Sequence, residues 1–206
     1  MIKVVTPSSL AVSVAEAKEY ARIDGADEES VITSLVRVAQ EMVEDYTGRA
    51  AAETTFLWAA ESWPTWSVDN FYRFPAFART GRRAIVLGRS PLVSVTSFKY
   101  VDAAGQLNTI ATSSYSVDTF NLPGRVVLNS EFSLPELDTE SGRPDAVQIE
   151  FKAGVANSIL SQAIKMTFNH LYEQRTPVIT GTIATKIPMS VKHLLRSQRV
   201  DSPFTS

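Results

Sequence analysis

The chain has 206 residues, 44% of them apolar, a formal net charge of −2 and no cysteine. That length holds one large domain or two small ones around a real core, and the missing cysteines exclude a disulfide framework and thiolate metal sites. The near-neutral balance excludes a general polyanion binder, the opening residues lack the apolar core of a signal peptide, and no run approaches the ~18 apolar residues of a membrane span; the expectation is a soluble, cytoplasmic protein.

Two helices come first in chain order. Ser13 is a good N-cap, and Glu16 three residues later closes a capping box. Val14, Ala17, Tyr20 and Ala21 form the inward stripe, and Gly25 is suited to end the helix. Asp27 is the expected cap of the second helix, with Glu28 and Glu29 in its first turn, where the dipole favours anions. Ile32, Leu35, Ala39, Met42 and Tyr46 follow at spacings of 3, 4, 3 and 4. That is one apolar face of a helix ending at Gly48.

The texture then changes to strand periodicity. Phe56 and Trp58 alternate with other residues, and Trp63, Pro64 and Trp66 mark a bend. The stretch from Phe71 to Arg83 is aromatic and basic, contains Pro75 and Gly81, and reads as a long loop. Strands are expected at Ile85–Leu87, Leu92–Val101, Tyr115–Val117, Val126–Leu128 and Val147–Phe151, with turns at Asp102–Gly105 and Pro123-Gly124. Asn157 or Ser158 then caps a helix with the inward stripe Leu160, Ala163, Ile164, Phe168, Leu171 and Tyr172. Pro177, Gly181 and Pro188 break any helix over 175–188, which reads as an extended arm. A short helix around Val191–Leu195 and a tail complete the chain. The expected fold is α+β: a helical bundle built from both chain ends (1–52 and 154–206, with the arm) around a β-rich insert (53–153). The paired stripes predict that the second helix packs on the helix of 158–174.

Catalytic patterns are scarce. His170 and His193 have no second histidine at ligand spacing, and neither a phosphate loop nor a dinucleotide fingerprint occurs. Gly88-Arg89-Ser90-Pro91 lacks the second glycine of a nucleophile elbow. Glu131, Glu136, Asp138 and Glu140 cluster, but in a polar, proline-bearing loop they read as a solvated acidic face rather than a glycosidase pair. No catalytic residue, metal site or cofactor is assigned.

Charge is unevenly spread. Residues 1–62 carry five basic and eleven acidic side chains, whereas 70–101 carry Arg73, Arg79, Arg82, Arg83, Arg89 and Lys99 and no acid. Solvated loops would explain this, as would complementary surfaces within or between subunits. The aromatic and basic stretch fits a nucleic-acid platform, but aromatics with arginine are also enriched at protein interfaces, which is the preferred reading; Trp58 and Trp63 can equally be core. Interface candidates are therefore Arg73, Arg79, Arg82, Arg83 and Arg89. The arm adds Val178, Ile179, Ile183 and Ile187, able to extend a partner's sheet, and the last helix adds Lys192, Leu194, Leu195, Arg196 and Arg199. The alternative is that this arm folds back onto its own subunit.

Several segments together resemble a known family. They are Val14-Ala15-Glu16-Ala17-Lys18, Arg22-Ile23-Asp24, Asp27-Glu28, Ile32, Val43-Glu44 and Tyr46-Thr47-Gly48-Arg49, then Pro91-Leu92-Val93-Ser94-Val95 with Tyr100-Val101-Asp102, then Pro144-Asp145-Ala146-Val147 with Phe151, Ala153 and Gly154, and the helix ending Tyr172-Glu173. In this order they resemble the head–tail connector (adaptor) proteins of tailed bacteriophages and phage-like gene transfer agents, most weakly over 53–83. The resemblance implies a non-enzymatic virion protein assembled in the bacterial cytoplasm. It implies a ring of twelve copies under the portal protein, extending the DNA channel and meeting the next connector or a tail protein. DNA would pass without sequence-specific binding, and no membrane is involved. The rival readings are a tail-side ring or stopper, a nucleic-acid-binding protein using 63–89, and a hydrolase using the acids of 131–150.

Overall fold

A computed structural model describes residues 1–6, 9–25, 28–64, 83–138, 142–174 and 187–200. Among them are eight strands in two antiparallel sheets and four α-helices. The strands are β1 (Ile2–Thr6), β2 (Thr54–Ala60), β3 (Ala84–Val86), β4 (Leu92–Val101), β5 (Leu107–Thr109), β6 (Tyr115–Asp118), β7 (Arg125–Leu128) and β8 (Val147–Ala153). The helices are α1 (Val14–Ala21), α2 (Glu29–Thr47), α3 (Ser158–Glu173) and α4 (Met189–Leu195).

The fold is therefore a β-rich α+β structure, and the expectation of a helical bundle from both chain ends is wrong. Two of the helices are too short to run the length of a bundle, with 8 residues in α1 and 7 in α4. The opening Ile-Lys-Val-Val-Thr, rich in β-branched residues, is not part of a helical body. It is strand β1, paired antiparallel with β2 so that Ile2 faces Trp58 and Val4 faces Phe56.

The chain separates into two compact units. The described residues of the β unit fall in 1–6 and 54–154. Its larger sheet has the order β1-β2-β8-β4-β5, and its smaller one β3-β7-β6. Strand β8 alternates buried and half-buried along its whole length, with Val147, Ile149, Phe151 and Ala153 inward, as period-2 patterning requires. The register sets Phe56 opposite Phe151, with ring centroids 5.6 Å apart, and Trp58 opposite Ile149. The smaller sheet adds Ile85, Val126 and Leu128 to the core, and Tyr115 on β6 meets Phe98 edge-on at 5.5 Å. Asp102 Oδ1 accepts from the Ala104 and Gln106 amides, and Gly105 takes a positive φ of 77°, which closes the expected β4–β5 hairpin.

The helical unit has its described residues in 9–53 and 155–200. Its core joins Ile32, Val36, Ala39 and Val43 of α2 to Leu160, Ala163, Ile164 and Phe168 of α3, with Ala17 of α1 and Val191 and Leu195 of α4. The α2–α3 pairing follows the two stripes predicted from periodicity. The buried line on α2 is rotated, however. Val36 and Val43 are fully buried, whereas Leu35, Met42 and Tyr46 are half-buried. Both lines have helical spacing, and the partners on two sides of α2 choose between them.

Helix ends are set by local chemistry. Ser13 and Glu16 form the reciprocal capping box, and Asn157 Oδ1 accepts from the Ile159 and Leu160 amides. Gly48 ends α2 in the left-handed conformation at φ 69°. Helix α1 ends earlier than Gly25. Arg22 takes the left-handed cap at φ 54°, and its amide donates to the Glu19 and Lys18 carbonyls. The expected cap Asp27 lies outside the described residues, and α2 begins after Glu28 with no side-chain cap bond.

Candidate assembly interface

The interface candidates divide into three groups. Arg73, Arg79, Arg82, Val178, Ile179 and Ile183 lie outside the described residues, as do Trp66, Phe71, Tyr72, Phe74 and Phe77. A second group is described and committed internally. Arg83 Nη2 donates to the carbonyls of Asn129 at 2.7 Å, Ser130 at 3.3 Å and Phe132 at 2.5 Å, so it buckles the loop after β7. Arg89 is half-buried with its guanidinium 6.0 Å from the centre of the Phe56 ring. Trp63 Nε1 donates to the Pro135 carbonyl, and the ring lies against Phe98 and Tyr100. Trp58 is buried in the core of the β unit, and Trp63 is half-buried against it.

The third group is the C-terminal helix. Leu195 is fully buried in the helical core, and Leu194 and Ile187 pack against it. Over 187–200 the chain thus folds onto its own subunit, and Leu195 is not a partner-facing residue. The reason is visible at the end of α2. The Val200 amide donates to the Thr47 carbonyl at 2.8 Å, and Arg49 Nε to the Gln198 carbonyl at 2.7 Å. Arg199 lies over the Tyr46 ring at 5.2 Å. Backbone groups that α2 leaves unpaired at its C-terminus are answered by the returning chain. Lys192 is half-buried, and Arg196 and Arg199 are exposed.

Sequence reading passed over three exposed features. Val4 and Val5 on the edge strand β1 are each 48% exposed. Phe120, at the tip between β6 and β7, is 97% exposed. The tip is held by Asp118, whose carboxylate accepts from the Phe120 and Asn121 amides, Asn121 Nδ2 and Arg125 Nε. Burial pushes the Asp118 carboxyl up, but the bonds from Asn121 and Arg125 outweigh it and hold it below the usual aspartate value. Beside the tip lies an open cavity of about 250 Å³ lined by Ala84, Ser116, Val117, Asp118, Phe120, Arg125 and Val127. The third feature is the solvent side of α2, where Val31 and Val38 are 43% and 44% exposed.

For catalysis, the arrangement offers little. Among the described residues no three His, Asp or Glu side chains gather as metal ligands. Glu131 and Glu136 are exposed, Asp138 is half-buried, and Glu140 lies outside the described residues. No described helix is long and apolar enough to cross a membrane.

No protein-family model matches the chain, and no curated protein matches it in sequence. Solved structures do match it in fold. A chain from the neck of an empty GTA particle computed with C6 symmetry superposes with a TM-score of 0.74 at 20% identity, covering 100% of this chain and 98% of that one. A chain from the virion of a native gene transfer agent particle gives 0.73 at 22% identity with the same coverage. A chain from the neck of a native GTA particle computed with C12 symmetry gives 0.71 at 21% identity, again over 100% and 98%. At these identities the likeness is one of fold, end to end. It falls on the class of particle that the sequence segments resemble.

Proposed function

We propose that this chain is a structural head–tail connector of a phage-like particle or gene transfer agent. In this reading it is an adaptor forming a ring of twelve copies beneath the portal, lining the DNA channel and joining head to tail without catalysis or cofactor. The observation that carries the reading is the fold likeness over the full chain to components of GTA necks, whose C6 and C12 symmetry is that of a ring. The sequence resemblance supports the same role independently.

The test is the native mass of the purified protein, alone and mixed with the portal protein of the same particle. A stable complex with many copies per portal ring is expected. No portal complex, together with recovery on isolated tails, would move the assignment to a tail-side ring or stopper. DNA binding that weakens steeply with salt in the absence of any portal complex would favour the nucleic-acid reading instead.

A further inference from the structure

Among the described residues the larger sheet ends on two strands with a neighbour on one side only, β1 at one edge and β5 at the other. Both edges carry exposed apolar side chains. Val4 and Val5 are each 48% exposed on β1, and Leu107 is 55% exposed on β5. An edge of this kind is a template for pairing with another chain.

The phase of the hydrogen bonds shows which backbone groups point outward. Met1 and Ala59 exchange both bonds, at 2.8 and 2.9 Å. Exchanging pairs alternate along an antiparallel ladder. Lys3 and Leu57 therefore form the next one, and the amides and carbonyls of Ile2 and Val4 are directed away from β2. The bulge in β1 lies beyond Val4 and leaves this phase intact. On the other edge, the Asp102 amide donates to the Gln106 carbonyl at 3.0 Å and the Ile110 amide to the Phe98 carbonyl at 2.8 Å. Tyr100 and Asn108 are the exchanging pair between them, so the backbone groups of Leu107 and Thr109 point outward.

The two edges also agree in direction and in face. Each neighbouring pair in the order β1-β2-β8-β4-β5 is antiparallel, so after four such steps β1 and β5 run the same way. The register carries Lys3 across to Leu57, Glu150 and Ser97 on one face of the sheet. Lys99 and Val101 follow Ser97 on that face by period-2 alternation, and Leu107 stands opposite Val101. Lys3 and Leu107 thus share a face from opposite edges.

We propose that β5 of one copy pairs with β1 of the next copy, parallel and with Leu107 opposite Lys3, so that the larger sheet continues from subunit to subunit. The proposal rests on the ring reading above and names the strands that meet. Neighbours in a many-membered ring differ by a small rotation, which preserves strand direction and sheet face, the two properties these edges share. In this register the Leu107 amide donates to the Ile2 carbonyl, the Val4 amide to the Leu107 carbonyl and the Thr109 amide to the Val4 carbonyl. The alkyl stem of Lys3 lies along Leu107. Because the two edges differ, the contact is head-to-tail, the kind that closes into a ring.

The chain has no cysteine, so a pair of introduced cysteines reports the contact directly. Full-length Lys3→Cys/Leu107→Cys protein is assembled, alone and on the portal protein, and mildly oxidised. Within one subunit β1 and β5 stand four strand spacings apart, about 19 Å, too far for an internal disulfide. A ladder of covalent multimers is expected. It should form about tenfold faster than with Val4→Cys/Leu107→Cys, whose two side chains leave opposite faces of the shared sheet. Equal rates for the two variants overturn the proposal, as does an assembled ring that gives no ladder. Hydrogen exchange supplies a readout without substitution. The Val4, Leu107 and Thr109 amides should exchange at least about tenfold more slowly in the assembly than in dilute protein, and unchanged exchange counts against the contact. Portal binding by the unaltered protein is scored separately. A covalent ladder without portal binding removes the connector reading and leaves the contact, whereas portal binding without a ladder removes the contact alone. Absence of any assembly, with or without portal, overturns both.

Discussion

Asp118 is the side chain on which the β6–β7 tip depends, since four donors from three residues converge on its carboxylate. Its folded pKa lies below the unfolded value of about 3.9. Its contribution to stability is therefore present above that pH and lost as pH falls through the folded value. Asp118→Asn should cost about 1–2 kcal/mol at pH near 6, and the gap to the natural protein should close as pH drops below about 4. Urea unfolding of both proteins at the two pH values checks this; a gap that does not change with pH would mean the charge is not what holds the tip. Phe120→Ser on the same tip should leave stability within about 0.5 kcal/mol, because the ring is already in water. Gly124 illustrates a different constraint. A Cβ there would lie 2.3 Å from Leu92 Cβ, so Gly124→Ala should cost about 1–3 kcal/mol through displaced packing. The sequence shows the turn at Pro123-Gly124; it does not show that Leu92 closes over it.

At the scale of elements, α4 decides how the C-terminus is read. Its seven residues include Val191 and Leu195, both fully buried beside α3. Leu195→Ala should cost about 2–5 kcal/mol, the same range as Phe168→Ala at the α2–α3 contact. Truncation before residue 187 should lower the melting temperature sharply, because it uncovers Thr47, Tyr46 and the end of α2. Differential scanning calorimetry separates the outcomes, and an unchanged melting temperature would mean that α4 is not part of the subunit core. Two N-caps, by contrast, are legible in the sequence. The Ser13–Glu16 box and Asn157 depend on neighbours three residues away at most, so local sequence contains all the necessary information. Arg22 escaped prediction because a left-handed arginine is disfavoured locally, and only the paired bonds to Glu19 and Lys18 hold it there.

For the whole molecule, the uneven charge bears on the proposed assembly. Replacing Arg79 and Arg82 by Glu while keeping Arg83 should leave the melting temperature unchanged and reduce the mass of the assembly measured by light scattering. Arg83 is spared because its loss would free the carbonyls of Asn129, Ser130 and Phe132 and confuse folding with assembly. An assembly of full mass from the double variant would mean those arginines are solvated charge.

Sequence alone determined the Ser13–Glu16 and Asn157 caps, the end of α2 at Gly48, the β4–β5 and β6–β7 turns, the alternation along β8 and the helical spacing of α2 and α3. Each of these is a property of residues a few positions apart. It also carried the ordered segments that resemble connector proteins. Tertiary structure alone decided that β1 closes the edge of the larger sheet, that Val36 and Val43 rather than Leu35 and Met42 point to the centre of the core, and that Leu195 is buried at home. The reason is physical. Periodicity says that a face must be covered, but the surface that covers it comes from other elements distant in the chain, and their placement is set by competition among all the apolar faces of the chain for burial.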